Sequence, residues 1–389
     1  MGARLRQSAV VPARVAPGSA CQLDCRSSTG SWVETQASAT RPIRMREETN
    51  VDAPWTAYMQ VGLVHFMMYP EAMAGGDDVL ASIEQVAADP FFQVLEITRI
   101  KNPEVRKKVR ELADMAHVDL GFGAQPGLLM NRLNTAALDE AARQAAVADI
   151  KQSIDQAYEH GCRLLAMIDG LESWPGEADQ ERAIEQVVKS LNELCDYAQQ
   201  RAKDYLLTIS LETFDRAIEK KSLLGPTSLA VQVAKRVRER HQNFGLTIDL
   251  SHLPLLGETP RQALQAARDV IVHAHVGNCQ MRDPSLPSYG DKHPRFGAAG
   301  TENDVEQLAE FLSELFAIGY FDKALPTRRP VVTFEVRPQA GEIQEVLLAN
   351  CRRVMEEAWA KVQAPRSRST RAKTEATAAH GANGSARAR

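Results

Sequence analysis

Four apolar runs in the second half of the chain each carry, near their end, a residue type that binds cations or moves protons. The runs are YLLTISLETF (205–214), FGLTIDLSH (244–252), VIVHAHVGN (270–278) and PVVTFEVRP (330–338). Apolar and polar residues alternate along each run with the period of two that is typical of a strand. The alternation puts Glu212, Asp249, His275 and Glu335 on the polar side of their strands, close to the carboxyl ends.

These four residues form a coherent set of ligands for a divalent cation. Taken singly, each has an ordinary explanation: Glu212 as an ion-paired residue, Asp249 as a helix cap, His275 as a hydrogen-bonded core histidine. Three carboxylates gathered at one place, however, would repel one another unless a cation lay between them. Oxygen and nitrogen ligands without cysteine suit Mn²⁺, Mg²⁺, Co²⁺ or Zn²⁺, and Mn²⁺ is our preferred prediction. His273 lies one layer deeper and is predicted to be a packed, hydrogen-bonded neighbour.

The strands that carry these residues belong to a longer alternation of strands and helices. From residue 59, short apolar runs are followed by amphipathic stretches, and eight such units can be counted before residue 362. This order predicts an α/β protein with a (β/α)8 TIM barrel over residues 58–361, whose catalytic groups collect at the carboxyl ends of the strands. An open doubly wound sheet is the alternative. We disfavour it because HFMMYPEAMAGG, after the first strand, contains no Gly-rich phosphate loop.

The two ends of the chain differ in composition from the middle. Residues 1–46 and 363–389 each carry a net charge of +5, so the middle of a chain with a net charge of −4 carries −14. Their composition predicts disordered extensions at 1–57 and 362–389. No apolar run approaches the roughly 20 residues that span a bilayer. The six scattered cysteines indicate a reducing compartment. We therefore predict a cytoplasmic protein without a membrane partner.

The chain resembles the xylose isomerase-like TIM barrels, a family that includes sugar phosphate isomerases and epimerases. The resemblance rests on LETF (211–214), DLSH (249–252), HAHVGN (273–278), GAAGTENDVEQL (297–308) and FEVRP (334–338), in this order. It implies one divalent metal ion held by Glu212, Asp249, His275 and Glu335, with His252 beside it in contact with substrate oxygens. The ketose 3-epimerase branch implies further that Glu212 and Glu335 exchange protons with a substrate carbon from opposite faces.

The loop that follows the strand VIVHAHVGN (270–278) departs from the family pattern. The epimerase branch has an arginine six positions after the metal-binding histidine, where this chain has Met281 followed by Arg282. Residues 279–300 also include His293 and Arg295. These side chains either bind an anionic or hydroxyl-rich substrate or belong to a solvated surface loop. We predict that they contact the substrate.

Two further positions complete the predicted substrate site. Arg337 shares the inward side of its strand with Glu335. Glu96, on the second strand of the barrel, is either a substrate contact or a buried structural acid. Gln125 and Asp169 also lie at strand ends and are further candidates for the mouth of the barrel.

A metal ion beside two glutamates is suited to proton abstraction next to a carbonyl, through a metal-stabilised enediolate. The predicted function is therefore that of a divalent-metal-dependent sugar isomerase or epimerase. A metal-dependent lyase or dehydratase acting on a keto sugar, an inosose or a 3-keto glycoside would begin with the same step and stays open. An endonuclease IV-like DNA repair enzyme is disfavoured because the acidic middle of the chain repels phosphate backbones. The predicted partner is a small-molecule sugar rather than a nucleic acid, and the sequence is compatible with a homo-oligomer.

Overall fold

Residues 48–365 are described by the structure, a computed structural model, and eight parallel strands among them close into a barrel. Each strand pairs with its neighbours in the sequence, and the last pairs with the first. The TIM barrel predicted from the sequence is therefore confirmed. The barrel strands are β2 (Gln60–Val64), β3 (Val94–Ile97), β4 (Asp119–Gly123), β5 (Leu164–Met167), β6 (Thr208–Glu212), β7 (Phe244–Asp249), β8 (Ile271–Gly277) and β9 (Val331–Glu335).

Helices connect successive barrel strands. They are α1 (His65–Met68), α2 (Val79–Ala87), α3 (Pro103–Ala116), α4 (Gln125–Met130), α5 (Glu140–His160), α6 (Gln180–Arg201), α7 (Thr227–Arg238), α8 (His252–Leu256), α9 (Pro260–Ala267), α10 (Val305–Ala317) and α11 (Gln344–Trp359). Local signals set several ends: Asn102 accepts a hydrogen bond from the Glu104 amide at the start of α3, and Gly161, with φ 76°, ends α5. The short helices α1, α4 and α8 were not predicted, because segments this short show no helical period.

A two-stranded ribbon lies outside the barrel. Strand β1 (Glu48–Asn50) pairs antiparallel with β10 (Gln363–Pro365). Regular structure therefore extends beyond the predicted bounds of 58 and 361 at both ends. The rest of the two predicted extensions, residues 1–47 and 366–389, lies outside the described residues. No helix of the described part of the chain has the length and apolar character needed to cross a membrane.

Strand register brings the polar side chains of β6 to β9 to a similar height. Asp249 pairs with His275 across β7 and β8, and Gly277 pairs with Glu335 across β8 and β9. On the other side of these strands, apolar residues such as Leu211 are completely buried in the hydrophobic core. Burial of one side against the helices forces the alternate residues into the barrel interior, because a strand turns successive side chains to opposite faces.

Candidate metal and catalytic site

The four predicted metal ligands converge at the carboxyl ends of the barrel strands. Glu212, Asp249 and Glu335 are the last residues of β6, β7 and β9, and His275 lies on β8 between the last two. One nitrogen or oxygen atom from each lies within 4.8 Å of an atom from every other. All four residues are buried. The distances therefore satisfy the geometric requirement that one ion could contact all four side chains.

The unpaired atoms of this cluster fit a cation. Asp249 Oδ2 is buried and has no hydrogen-bond partner among the described residues, while Oδ1 accepts one from the Ser251 amide at 2.7 Å. Glu335 Oε2 lies 2.9 Å from His275 Nδ1, outside hydrogen-bond geometry. A buried carboxylate oxygen without a donor is costly, because it has lost water and gained nothing in return. A divalent ion bound by Asp249 Oδ2 would remove that cost.

The carboxylate of Glu96 lies at Nε2 of the His275 ring, whereas Glu212 and Glu335 lie at Nδ1. His275 Nε2 lies 3.2 Å from Glu96 Oε2, and His273 Nε2 lies 2.7 Å from Glu96 Oε1. Burial opposes protonation of His275, but Glu96 and Glu212 outweigh it and raise its pKa well above the usual value. With Nε2 directed at Glu96, Nδ1 is the nitrogen left to face Glu212 and Glu335.

The contacts of Glu96 match the second of the two alternatives for this residue, a buried structural acid, since it is only 2 % exposed and bonds to two histidines. His273 is hydrogen-bonded and buried, as predicted. A direct contact between Glu96 and the substrate stays a prediction.

A second group of possible ligands lies next to the first. His252 Nδ1 is 2.8 Å from the Thr213 carbonyl, which makes it the donor and leaves Nε2 facing Asp291 Oδ1 at 3.2 Å. His293 Nε2 lies 2.8 Å from the same oxygen. Atoms of Asp249, His252 and His293 also lie within 4.8 Å of one another, so a cation could be held here as well. Burial opposes the charge on His252, but Asp291 and Asp249 raise its pKa to about 10.

Asp291 was missed by the sequence analysis. It lies in the loop between β8 and α10, where neither a strand nor a helical period marks a side chain as inward-facing. Its position two residues before His293 was the available signal, because an acid and a histidine in alternate positions can share a ligand. In the structure it is 5 % exposed and its second carboxylate oxygen accepts a hydrogen bond from Lys220 Nζ at 2.7 Å.

Two ion pairs hold the loop between β8 and α10 in place at the mouth of the barrel. Lys220 pairs with Asp291, and Lys292 Nζ lies 2.6 Å from Glu219 Oε1. The amide of Asp291 also donates to Glu219 Oε2 at 3.1 Å. These contacts join the segment after β6 to the loop after β8, and they place Asp291 and His293 beside the first four ligands.

Three predicted substrate contacts lie apart from this cluster. Arg282 pairs with Glu302 at 3.3 Å, Arg295 pairs with Glu342 at 3.1 Å, and Arg337 is exposed. The ion pairs of Arg282 and Arg295 agree with the surface-loop alternative that the sequence left open for residues 279–300. Arg337 follows the last residue of β9 by two positions and is exposed, so the expectation that it shares the inward side with Glu335 is wrong. Contact of these three residues with a substrate stays a prediction. His293, from the same loop, does reach the cluster.

Two further candidates at strand ends have different environments. Asp169 accepts hydrogen bonds from Ser222 Oγ at 2.7 Å and from the Leu224 amide at 3.0 Å, which makes it a buried anchor for the segment after β6. Gln125 donates from Nε2 to Glu212 Oε2 at 2.9 Å and so touches the cluster directly.

Comparison with known proteins agrees with the fold. The family model described as "Xylose isomerase-like TIM barrel" matches residues 82–347. A comparison with curated protein sequences finds no match.

Similar solved structures include a D-tagatose 3-epimerase-like protein, with a TM-score of 0.56 and 20% identity over 77% of this chain and 97% of that one. A 3-keto-D-glucoside 4-epimerase from E. coli has a TM-score of 0.54 and 15% identity, covering 77% and 99%. An AP endonuclease, family 2, from Brucella melitensis has a TM-score of 0.55 and 16% identity, covering 76% and 98%. These identities establish a shared fold. Because the family model spans more than half of the sequence, the chain belongs to the xylose isomerase-like TIM barrel family.

Proposed function

We propose that the protein is a divalent-metal-dependent sugar isomerase or epimerase that abstracts a proton next to a carbonyl. One observation carries the proposal: Glu212, Asp249, His275 and Glu335 form a buried cluster in which carboxylate oxygens lack donors. Two of these residues are glutamates on β6 and β9, two strands that β7 and β8 separate. A sugar seated between them would meet a carboxylate from each side.

The cluster residues would hold the ion, with Mn²⁺ as the preferred metal. When bound, the ion would supply Lewis acidity that polarises a carbonyl and makes the neighbouring C–H bond more acidic. Glu335 is suited to accept the proton, because Oε2 has no hydrogen bond to give up. Glu212, held by Gln125, would take up a proton from solvent and deliver it to the same carbon or its neighbour, and Glu335 would then release its proton to solvent. His252, with Nδ1 fixed on a backbone carbonyl, would present Nε2 to sugar oxygens.

The experiment is a sugar panel with controlled metal content. Protein stripped with a chelator is incubated with D-fructose, D-tagatose and methyl 3-keto-glucoside, with and without added Mn²⁺, and products are separated by chromatography. The proposal expects an epimer or an isomer in the Mn²⁺ arm and none in the chelated arm. Release of methanol from the glycoside would show that the protein is a lyase, the alternative that the sequence left open, and not an epimerase. No product from any sugar in the Mn²⁺ arm would contradict the proposal.

A further inference from the structure

Gln125 has one amide atom bonded to a proposed catalytic residue and the other atom unpaired. It is the first residue of α4, just after β4, and is 7 % exposed. Nε2 donates to Glu212 Oε2, and Oε1 is buried without a hydrogen-bond donor among the described residues. An ionised carboxylate only accepts hydrogen bonds, so the amide nitrogen must face Glu212. The orientation of the amide is therefore fixed, and Oε1 points away from Glu212.

An unpaired acceptor at this position needs an explanation. Leaving a buried acceptor without a donor costs about 1–3 kcal/mol, and natural proteins nearly always supply a partner. Oε1 lies close to Gly123, which has no side chain. A β carbon added at Gly123 would come within 2.4 Å of the Phe66 ring and within 3.0 Å of Oε1. The absence of a side chain at Gly123 thus allows Phe66 and Gln125 to lie close together over the end of β4.

We infer that Gln125 Oε1 accepts a hydrogen bond from a hydroxyl group of the sugar, and that this contact selects substrates that carry a hydroxyl close to the carbon served by Glu212. The inference rests on the proposed function. Both amide atoms are bonded to one carbon, so a hydroxyl on Oε1 must lie within a few ångströms of the Glu212 carboxylate. Binding pockets for small ligands are commonly lined by aromatic side chains with a few polar groups that fix the ligand's orientation, and Phe66 and Gln125 Oε1 both lie next to Gly123.

The same side chain would then have two roles that can be separated. As a positioning residue, Gln125 holds the Glu212 carboxylate through Nε2. As a substrate contact, it accepts a hydrogen bond from one hydroxyl group through Oε1. A site built to bond a hydroxyl discriminates strongly against an analogue that lacks it, because the protein acceptor is left unpaired again. Loss of the acceptor should therefore abolish discrimination at one sugar position and leave the others unchanged.

The experiment compares deoxygenated sugars in three proteins. D-Fructose, D-tagatose and their singly deoxygenated analogues are tested with the metal-loaded wild-type enzyme, with Gln125→Leu and with Gln199→Leu. The last substitution is the matched control, because Gln199 is exposed on α6. The wild type and the control are expected to prefer the parent sugar over one analogue by about tenfold or more in kcat/KM. Gln125→Leu is expected to lose that single preference and to keep the preferences at other positions.

Gln125→Glu separates the two roles. It keeps an acceptor beside Gly123 but sets a second carboxylate against Glu212. It is expected to retain the hydroxyl preference while kcat falls. An unchanged preference in Gln125→Leu, or an equal loss of preference at every position, would overturn the inference.

A binding measurement distinguishes failure of this inference from failure of the proposed function. Calorimetric titration of the same parent and deoxygenated sugars reports the hydroxyl contact without turnover. Suppose that no sugar is converted, that the wild type binds one analogue more weakly than the parent sugar, and that Gln125→Leu binds the two equally. The proposed activity is then wrong and the contact stands. If the sugars are converted but neither kcat/KM nor affinity shows the single-position effect, the contact is wrong. Absence of binding by every sugar would contradict both.

Discussion

At the scale of single residues, the two proposed catalytic glutamates have different hydrogen bonds. Glu212 Oε2 accepts from Gln125, and Glu212 Oε1 lies 3.2 Å from His275 Nδ1. Glu335 has an oxygen with no hydrogen bond in the described part of the chain. A carboxylate with a free lone pair accepts a proton more readily than one whose lone pairs are occupied. This asymmetry is the reason for assigning the first proton abstraction to Glu335.

The assignment predicts the effect of Glu335→Gln. Turnover is expected to fall by about 100-fold or more, because a general base contributes roughly this factor. Circular dichroism should be unchanged, because the amide has the same shape as the carboxylate. Glu310→Gln is the matched control, since Glu310 is exposed on α10 and lies outside the cluster. Full turnover in Glu335→Gln on a sugar that the wild type converts would show that another residue takes the proton.

At the scale of elements, the barrel strands could be predicted and the loops above them could not. Alternating side chains mark the inward side of a strand, and this period alone predicts that Glu212, Asp249, His275 and Glu335 lie together. The loop after β8 has no such period. His293 was predicted to contact the substrate from its residue type alone, but Asp291 was not recognised, and Arg282 and Arg295 form ion pairs away from the cluster.

The loop is held by charges that only the folded chain brings together. The partners of Asp291 and Lys292 are Lys220 and Glu219, about seventy positions earlier in the sequence. No short-range pattern connects two segments at this distance. The same reasoning applies to Gln125 and Glu212, which lie at the start of α4 and at the end of β6 and whose contact depends on the pairing of the barrel strands.

The ion pairs between these segments predict a local change in stability. Lys292→Glu is expected to increase the rate of chymotrypsin cleavage after Tyr289 by up to about fivefold. It replaces a half-exposed ion pair, which contributes no more than about 1 kcal/mol, by a repulsion with Glu219. Mass spectrometry identifies the cleavage site.

Lys203→Glu is the control, because it makes the same charge change at an exposed position outside the loop. Equal acceleration in both variants, or none in Lys292→Glu, would mean that this pair does not hold the loop.

At the scale of the whole molecule, buried histidines couple folding to pH. His65 is 1 % exposed, stacks on Tyr69 with ring centroids 5.2 Å apart, and lies 2.9 Å from Ser82 Oγ. Ser82 Oγ donates to the Val79 carbonyl, so the neutral His65 ring donates to Ser82. Burial lowers the pKa of His65 from 6.5 to about 3. The unfolded chain therefore takes up a proton between these values and the folded chain does not.

The lowered pKa of His65 makes the folded protein less stable at low pH. The stability contributed by neutral His65 is complete above pH 6.5 and is lost progressively as pH falls toward 3. Between pH 7 and about pH 4.5, the free energy of unfolding is expected to fall by about 2.5 kcal/mol more in the wild type than in His65→Phe. Urea unfolding at both values measures this difference. Loss of the hydrogen bond to Ser82 changes the free energy of unfolding of His65→Phe by the same amount at both pH values. Parallel pH dependence in the two proteins would contradict the linkage.

The metal content of the protein tests the central claim most directly. Asp249 belongs to both groups of possible ligands, so its substitution disturbs either site. After loading with Mn²⁺ and gel filtration in metal-free buffer, mass spectrometry of the wild type is expected to find about one ion or more per chain. Asp249→Asn is expected to lose it while keeping the wild-type circular dichroism spectrum. A wild-type protein that retains no ion, or an Asp249→Asn variant that retains as much as the wild type, would contradict the account.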